Sequence, residues 1–135
     1  MSRWPDDAAA KARPLSAPPL VRVLVVDDHA AFRAAAVAML QSEGFQVVSE
    51  AGTGADAIAA AETLRPDLVL LDVRLPDIDG FAVAEALAAL APAPVVVLVS
   101  SRDAVTFGAR LRASPARGFL PKSMLSGESL RALVG

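Results

Sequence analysis

Five short apolar runs alternate with helical segments along this chain, and that alternation limits the folds it can adopt. The runs are VRVLVV (21–26), FQVVSEA (45–51), DLVLL (67–71), PVVVLV (94–99) and RGFLP (117–121). Helical spacing or helix-boundary signals follow each run, over residues 30–42, 55–64, 81–90, 103–113 and 126–134. Strands that alternate with helices predict parallel pairing, right-handed crossovers and helices on both faces of the sheet. The pattern therefore predicts a three-layer α/β fold of the (βα)5 type, with a five-stranded parallel sheet.

The second apolar run differs from the others because Ser49 and Glu50 interrupt it. A strand buried on both faces reads as a continuous apolar run, so this one belongs nearer an edge of the sheet. An edge position favours the flavodoxin-like strand order 2-1-3-4-5, with a switch point between the first and third strands.

Composition restricts the class of protein. The 135 residues are 54% hydrophobic and 21% charged, which fits one globular domain with a real core. A net charge of −2 without a basic stripe argues against direct nucleic-acid binding by this chain. Cysteine is absent and no apolar segment typical of a secretory signal or a membrane span is present. We therefore expect a cytoplasmic protein with no membrane partner.

Residues 1–20 differ from the rest of the chain, with prolines at 5, 14, 18 and 19 between charged and small residues. We interpret them as a flexible N-terminal extension and residues 21–135 as the folded domain. Trp4 is either a loosely ordered aromatic in that extension or an anchor on the domain or a partner.

Polar side chains follow four of the five predicted strands. Asp27 and Asp28 come after the first, Asp72 after the third, Ser100 after the fourth and Lys122 after the fifth. The carboxyl ends of parallel strands meet at one edge of the sheet, where open α/β sheets bind ligands. We expect three carboxylates, one hydroxyl and one ammonium to lie together there.

Such a set has a specific chemistry. Clustered carboxylates repel one another unless a cation compensates them, and oxygen ligands favour Mg²⁺, Mn²⁺ or Ca²⁺. A carboxylate can also accept a phosphoryl group and form an acyl phosphate. Taken singly, Asp27 could cap a helix, Ser100 could be a turn residue and Lys122 could be solvated. The joint placement after successive βα elements favours phosphoryl transfer, with Asp72 as the reacting residue.

Four spaced motifs carry a family resemblance. They are VLVVDDH (23–29), RPDLVLLDVRLPDIDG (65–80), VVVLVSSRD (95–103) and ARGFLPKS (116–123). In this order they resemble the receiver domain of bacterial two-component response regulators, over roughly residues 21–134. The DDH and GFLPK details look most like receivers of the LuxR/NarL-type subgroup.

The resemblance implies roles for the acidic residues. Asp72 would be the phosphoacceptor, and Mg²⁺, or alternatively Mn²⁺, would be the cofactor. Asp28 would bind the metal directly and Asp27 largely through water, with Asp72 and the backbone carbonyl of Arg74 as further ligands.

The resemblance also implies a switch. Ser100 matches the switch Ser/Thr position, Lys122 the lysine that pairs with the phosphoryl group, and Phe119 the rotating aromatic position. Phe119 on a strand could equally be a core residue, and Pro76 and Gly80, which match the loop after the acceptor, could simply shape a turn. His29 is expected to be a partly exposed residue that opens the first helix rather than a metal ligand.

As implied by the resemblance, the chain is a phosphorylation-dependent signalling switch. A sensor histidine kinase or phosphotransfer protein would phosphorylate Asp72, and the face formed by the fourth helix, fifth strand and fifth helix (α4–β5–α5) would contact a downstream protein or a second copy. No helix-turn-helix motif follows the last helix. The chain would be either a single-domain regulator or a receiver fragment of a DNA-binding transcriptional regulator.

Two other classes stay open. A phosphohydrolase of the haloacid dehalogenase type also combines an Asp nucleophile with Ser/Thr, Lys and a metal site, but its nucleophile belongs to an early DxD-type motif. A receiver-like scaffold would not be phosphorylated, and the intact acidic set argues against it. We therefore expect no enzyme, but a phosphoacceptor with at most slow self-dephosphorylation. Arg74 and Arg102, each two residues after a site residue, are expected to influence the lifetime of the phosphoryl group.

Overall fold

The computed structural model describes residues 20–134 and contains five parallel strands and six helices. The strands are β1 (Arg22–Val26), β2 (Gln46–Ala51), β3 (Leu68–Asp72), β4 (Val95–Ser100) and β5 (Gly118–Pro121). The helices are α1 (Ala30–Ser42), α2 (Gly54–Leu64), α3 (Gly80–Ala88), α4 (Ala104–Phe107), α5 (Ala109–Ala113) and α6 (Gly127–Val134). A 3₁₀ turn, Lys122–Met124, follows β5. Residues 1–19 of the predicted extension, which include Trp4, lie outside the described residues.

The sheet has the order β2-β1-β3-β4-β5, with all neighbours parallel, so the predicted fold class and strand order are confirmed. β1 and β3 are adjacent, and Val26 pairs with Leu71 in their register. The residues that follow this pair, Asp27 and Asp72, therefore leave the sheet side by side.

Alternate residues of the central strands point to opposite faces of the sheet, where they form two separate cores. Leu24, Val69 and Leu71 belong to the first core, where Val83, Ala84 and Leu87 of α3 cover them together with α2. Residues one position earlier, such as Val23, Leu68 and Leu70, belong to the second core with Leu40 of α1 and Leu130 of α6. β3 is buried along its whole length, as a strand covered on both faces should be.

Side chains at the helix starts fix where the helices begin. Thr53 accepts a hydrogen bond from the Asp56 N–H at 3.1 Å, and Asp77, from the loop after β3, accepts from Gly54 N–H and Ala55 N–H at 2.8 and 2.9 Å. These bonds satisfy N–H groups that have no partner within the helix. Asp77 thereby ties the loop after β3 to the start of α2. The predicted cap of the last helix is also present, because Ser126 Oγ accepts from Ser129 N–H at 3.0 Å.

The fourth predicted helix, residues 103–113, is interrupted in the structure. It forms two short helices, α4 and α5, with Gly108 between them at a φ of +50°. A positive φ is incompatible with a continuous right-handed helix and is adopted readily by glycine. The predicted α4–β5–α5 face therefore corresponds to α4, α5, β5 and α6.

The buried face of α1 is narrow. Ala36 and Leu40 are buried, and Phe32 and Met39 are half-buried, whereas Ala35 is exposed. Val37 also packs against the second core. Alanine occupies so many α1 positions that its spacing alone does not define the face.

Among residues 20–134, no helix is both long and apolar enough to cross a membrane.

Gly80 lets the start of α3 lie directly against the end of β3. Its N–H donates to the Val73 carbonyl at 2.8 Å, and a Cβ at this position would lie 2.7 Å from Val73 Cα and 2.9 Å from Val73 O. These backbone atoms cannot move aside without disturbing the sheet, because the Val73 N–H donates to the Val99 carbonyl of β4 at 3.0 Å. We predict that Gly80→Ala lowers the free energy of unfolding by about 1–3 kcal/mol, as measured by urea denaturation.

Gly52→Ala is the matched control, because a Cβ there would meet Arg33 Nη1 at an ordinary 3.4 Å. Its effect should stay within about 1 kcal/mol. Equal destabilisation by the two substitutions would contradict the close approach at Gly80.

Candidate functional site

The carboxyl edge of the sheet brings together the polar residues that the sequence singled out. Asp27 follows β1, Asp72 ends β3, Ser100 ends β4 and Lys122 follows β5. Asp27, Asp72 and Ser100 are the buried polar residues among the described part of the chain, with exposures of 0%, 3% and 2%. Three polar side chains buried at one edge indicate a built site rather than solvated loop residues.

Lys122 lies between the two buried carboxylates. Its Nζ is 2.6 Å from Asp27 Oδ2 and 3.5 Å from Asp72 Oδ2. The contact with Asp72 has hydrogen-bond geometry, and the contact with Asp27 is a close ion pair. Asp27 Oδ2 accepts no other hydrogen bond from the described residues. A fully buried carboxylate oxygen with one partner has capacity for another positive ligand.

Hydrogen bonds hold both the side chain and the main chain of Asp27. Its Oδ1 accepts a hydrogen bond from the His29 N–H at 2.7 Å. The Arg33 guanidinium donates from Nη1 to the Asp27 carbonyl at 2.5 Å, and its Nε donates to Glu50 at 3.3 Å. The first bond restrains the Asp27 carboxylate, and the second restrains its main chain. Together they keep the carboxylate in the site.

The carboxyl of Asp72 is unusually basic. Burial, together with the nearby Asp27 charge, raises its pKa from 3.8 to about 6, although the Lys122 charge and a hydrogen bond from Arg74 N–H act in the opposite direction. The Arg74 N–H donates to Asp72 Oδ1 at 3.3 Å. One ammonium therefore does not fully compensate two carboxylates in this low-dielectric environment.

Asp28 and His29 form the exposed side of the site, with side-chain exposures of 36% and 70%. His29 is the N-cap residue of α1, as predicted, but its Nδ1 also lies 3.1 Å from Asp27 Oδ1 and from Asp28 Oδ1. Ligand atoms of Asp27, Asp28, His29 and Asp72 all fall within 4.8 Å of one another. An acidic cluster of this size, in which Lys122 is the one partner of the buried Asp27 Oδ2 among the described residues, fits a hard divalent cation bound through oxygen.

Ser100 is the hydroxyl of the site. Its Oγ accepts a hydrogen bond from the Arg102 N–H at 3.1 Å. Ser100 pairs in register with Pro121, the residue before Lys122. The hydroxyl and the ammonium therefore come from adjacent positions on neighbouring strands.

Phe119 begins a row of aromatic rings that leads away from the site. Its ring is 5.8 Å from the Phe107 ring, and Phe107 is 5.6 Å from Phe81, both in edge-to-face arrangements. Arg110 lies over Phe81 at 4.3 Å and pairs with Asp79 at 2.5 Å. Phe119 is half-buried and packs at the border of the first core. It contacts α4, which is one of the elements in the predicted output face.

Phe32 and Arg33 are site residues that the sequence analysis missed. The Lys122 Nζ lies 4.3 Å from the centroid of the Phe32 ring, and Arg33 binds the Asp27 carbonyl. A signal existed, because both residues lie in the first turn of α1 (Ala30–Ser42), directly after the acidic pair. The first turn of that helix starts at the edge of the sheet where β1 ends, so its side chains lie near the site.

Pro76 and Gly80 lie in the loop and helix start after Asp72. Pro76 is exposed, and Gly80 is buried against Val73. Of these two residues, only Gly80 is in close contact with the backbone at the end of β3.

Comparison with known proteins agrees with this geometry. The profile of the response regulator receiver domain matches residues 23–134. Transcriptional regulatory protein PdtaR of Mycobacterium tuberculosis is 39% identical over 114 residues, which are 83% of this chain and 54% of that protein. Response regulator GacA of Pseudomonas aeruginosa is 36% identical over 115 residues, or 84% of this chain and 54% of that protein. The chain thus spans about half the length of the curated relatives it matches.

Solved structures share the fold. The signal receiver domain of a NarL response regulator from Mycobacterium tuberculosis superposes with a TM-score of 0.76 at 35% identity, covering 87% of this chain and 99% of that one. Chemotaxis response regulator CheY4 of Vibrio cholerae gives a TM-score of 0.76 at 24% identity, covering 86% of this chain and all of that one. The second similarity supports the fold alone.

The raised pKa of Asp72 predicts a pH-dependent stability. Because the folded-state pKa of about 6 lies above the value of 3.8 expected for the unfolded chain, protonation favours the folded state. This stabilisation is complete below about pH 4 and is lost as the pH rises through about 6. We expect the free energy of unfolding in chelator-treated buffer, relative to that of Asp72→Asn, to fall by about 2 kcal/mol between weakly acidic and neutral pH.

Urea denaturation of both proteins across that range measures the difference. A difference that does not change with pH would contradict the uncompensated charge at Asp72.

Proposed function

Since this chain belongs to the response regulator receiver domain family, we propose that Asp72 is its phosphoacceptor. Members of this family are signalling phosphoacceptors of two-component systems rather than classical enzymes. The observation that carries the proposal is the buried pair Asp27 and Asp72 around a single ammonium, Lys122 Nζ. A phosphoryl group at Asp72 would lie next to that ammonium, which could then pair with it.

The proposed reaction is a displacement at phosphorus. A carboxylate oxygen of Asp72 forms a bond to phosphorus while the bond from phosphorus to the donor breaks, and the leaving group takes up a proton. A histidine kinase or a phosphotransfer protein would supply the phosphoryl group as a phosphohistidine. Its neutral imidazole leaves, and Asp72 becomes an acyl phosphate.

Mg²⁺, or Mn²⁺ in its place, is the proposed cofactor. Asp27, Asp28, Asp72 and the carbonyl of Arg74 would hold it, and when bound it supplies positive charge that offsets the charge of the transferring group. The chain's own residues complete the site. Arg33 and His29 keep Asp27 in place through its carbonyl and its Oδ1.

The proposed switch begins with the charge change at Asp72. Ser100 Oγ would turn from the Arg102 N–H to a phosphoryl oxygen, and Phe119, which packs against Phe107 of α4, would move with β4 and β5. Local charge would thereby bias the position of a distant element. NMR signals of the Phe119 ring report that movement directly.

The proposed output face is built from α4, α5, β5 and α6. Val105 of α4 and Met124 of the 3₁₀ turn after β5 are among the large apolar side chains most exposed in the described residues, at 86% and 62%. This face would contact a protein partner or a second copy of the chain. The relative PdtaR is named as a transcriptional regulatory protein, which supports the second candidate, a receiver fragment of a DNA-binding transcriptional regulator.

We predict that the chain is labelled on Asp72 by a small phosphoryl donor such as acetyl phosphate, in the presence of Mg²⁺. Asp72→Asn removes the nucleophilic carboxylate and should abolish labelling. Asp56→Asn, an exposed change in the first turn of α2, should leave it intact. Intact-protein mass spectrometry and sensitivity to hydroxylamine identify the acyl phosphate.

Other outcomes separate the alternatives. Repeated turnover of a phosphomonoester would favour a phosphohydrolase, and no labelling even with a cognate kinase would favour a scaffold. Labelling that persists in Asp72→Asn would contradict the proposed acceptor.

A second prediction concerns the lifetime of the phosphoryl group. Arg74 and Arg102 are both exposed, and their N–H groups bond to Asp72 and Ser100, so their side chains start directly above the site. We expect Arg74→Ala and Arg102→Ala to change the decay rate of the acyl phosphate by about threefold or more, because they alter access of the hydrolytic water. Arg112→Ala, an exposed change in α5, is the control. Decay at the unmutated rate in both variants would rule the role out.

A further inference from the structure

We propose that Phe32 is a positioning residue for Lys122, because the face of its ring holds the lysine ammonium at the point between Asp27 and Asp72. The inference rests on the proposed function, in which that ammonium pairs with the phosphoryl group. The Lys122 Nζ lies 4.3 Å from the centroid of the Phe32 ring. A cation within about 6 Å of a ring centroid, over the face, is attracted by the negative charge of that face.

Lys122 needs such a restraint. It begins the 3₁₀ turn after β5, and its side chain has four rotatable carbons and a strongly hydrated ammonium that water would otherwise attract. The side chain is only 17% exposed. Asp27 and Asp72 attract the ammonium from one direction, and the Phe32 ring contacts it from another. Water is therefore excluded from much of the space around the Lys122 Nζ.

Phe32 is itself well fixed. It lies in the first turn of α1 and packs against the second core, whose members include Ala36 and Leu40 of the same helix. Its place depends on the packing of α1 against the sheet and not on the charges at the site. The ring is therefore a neutral contact that stays when the charges around Lys122 change.

That independence gives Phe32 a specific role. The closest partner of Lys122 is Asp27 Oδ2, at 2.6 Å, and Asp27 is also a proposed metal ligand. A cation held by Asp27 would weaken the ion pair between Asp27 and Lys122, but it would not weaken the attraction of the ring. Phe32 then keeps the ammonium beside Asp72, where it can meet the incoming phosphoryl group instead of turning to solvent.

The test compares Phe32→Leu with Phe32→Tyr. Leucine keeps an apolar side chain in the second core but removes the aromatic face, whereas tyrosine keeps the face. We expect Phe32→Leu to slow labelling of Asp72 by acetyl phosphate, at saturating Mg²⁺, by about three- to tenfold. Phe32→Tyr should restore the rate to within about twofold of the unmutated protein.

Phe45→Leu is the matched control. Phe45 belongs to the same core and also has a cation over its ring, Arg131 at 5.1 Å, but it is not in contact with Lys122. It should lower stability without slowing labelling. An equal loss of labelling rate in Phe45→Leu and Phe32→Leu would reduce Phe32 to a packing residue and overturn the proposal.

A second readout needs no phosphoryl donor. The face of an aromatic ring shifts nearby protons upfield, so the Lys122 Cε protons should be shifted in the NMR spectrum of the unphosphorylated protein. The shift should disappear in Phe32→Leu and persist in Phe32→Tyr. Its absence from the unmutated protein would refute the placement of the ammonium, whereas a chain that shows the shift but accepts no phosphoryl group would contradict the proposed function instead.

Discussion

Two buried carboxylates share one ammonium at the carboxyl edge of this sheet, and the rest of the site is arranged around that imbalance. Asp27 and Asp72 follow residues that pair in register on adjacent strands, Val26 and Leu71, so the parallel pairing itself forces the two charges together. Lys122 compensates them only in part, as the raised pKa of Asp72 reflects. Buried like charges are costly, and a fold that keeps them is suited to receive positive charge and a phosphoryl group at that point.

Direct contacts connect this edge to the surface of the domain. The start of α3 lies against the end of β3 at Gly80, and Arg110 of α5 binds Asp79 and Phe81 at that same helix start. The rings of Phe81, Phe107 and Phe119 then join α3, α4 and β5. The short helices on either side of Gly108 bury few apolar side chains, so little packing opposes their displacement. A charge change at Asp72 thus has a contiguous set of contacts through which to act on the proposed output face.

Local signals were enough to predict the sheet and the residues at its edge. Each strand is an apolar run bounded by glycine, proline or a charge, and the residue after the run meets its counterparts because the strands are parallel. Side chains that reach the site from another layer were not predictable in that way. Phe32 and Arg110 contact Lys122 and Asp79, which lie far along the chain, and Arg33 contacts the main chain of Asp27. These contacts depend on how α1 and α5 pack. A glycine at position 108, inside the fourth predicted helix, can be read from the sequence, but its positive φ is a property of the folded backbone.

The most direct test of the central claim is an NMR titration with Mg²⁺ followed by beryllofluoride, which mimics a phosphoryl group on a carboxylate. Partial compensation of two carboxylates predicts that Mg²⁺ alone perturbs the amides around Asp27, Asp28 and Arg74. Beryllofluoride should then bind in a Mg²⁺-dependent manner and add perturbations at Ser100 and Phe119. Spectra that do not change with Mg²⁺, or beryllofluoride effects that are the same in Asp72→Asn, would contradict the claim that this acidic edge is a phosphoryl-accepting site.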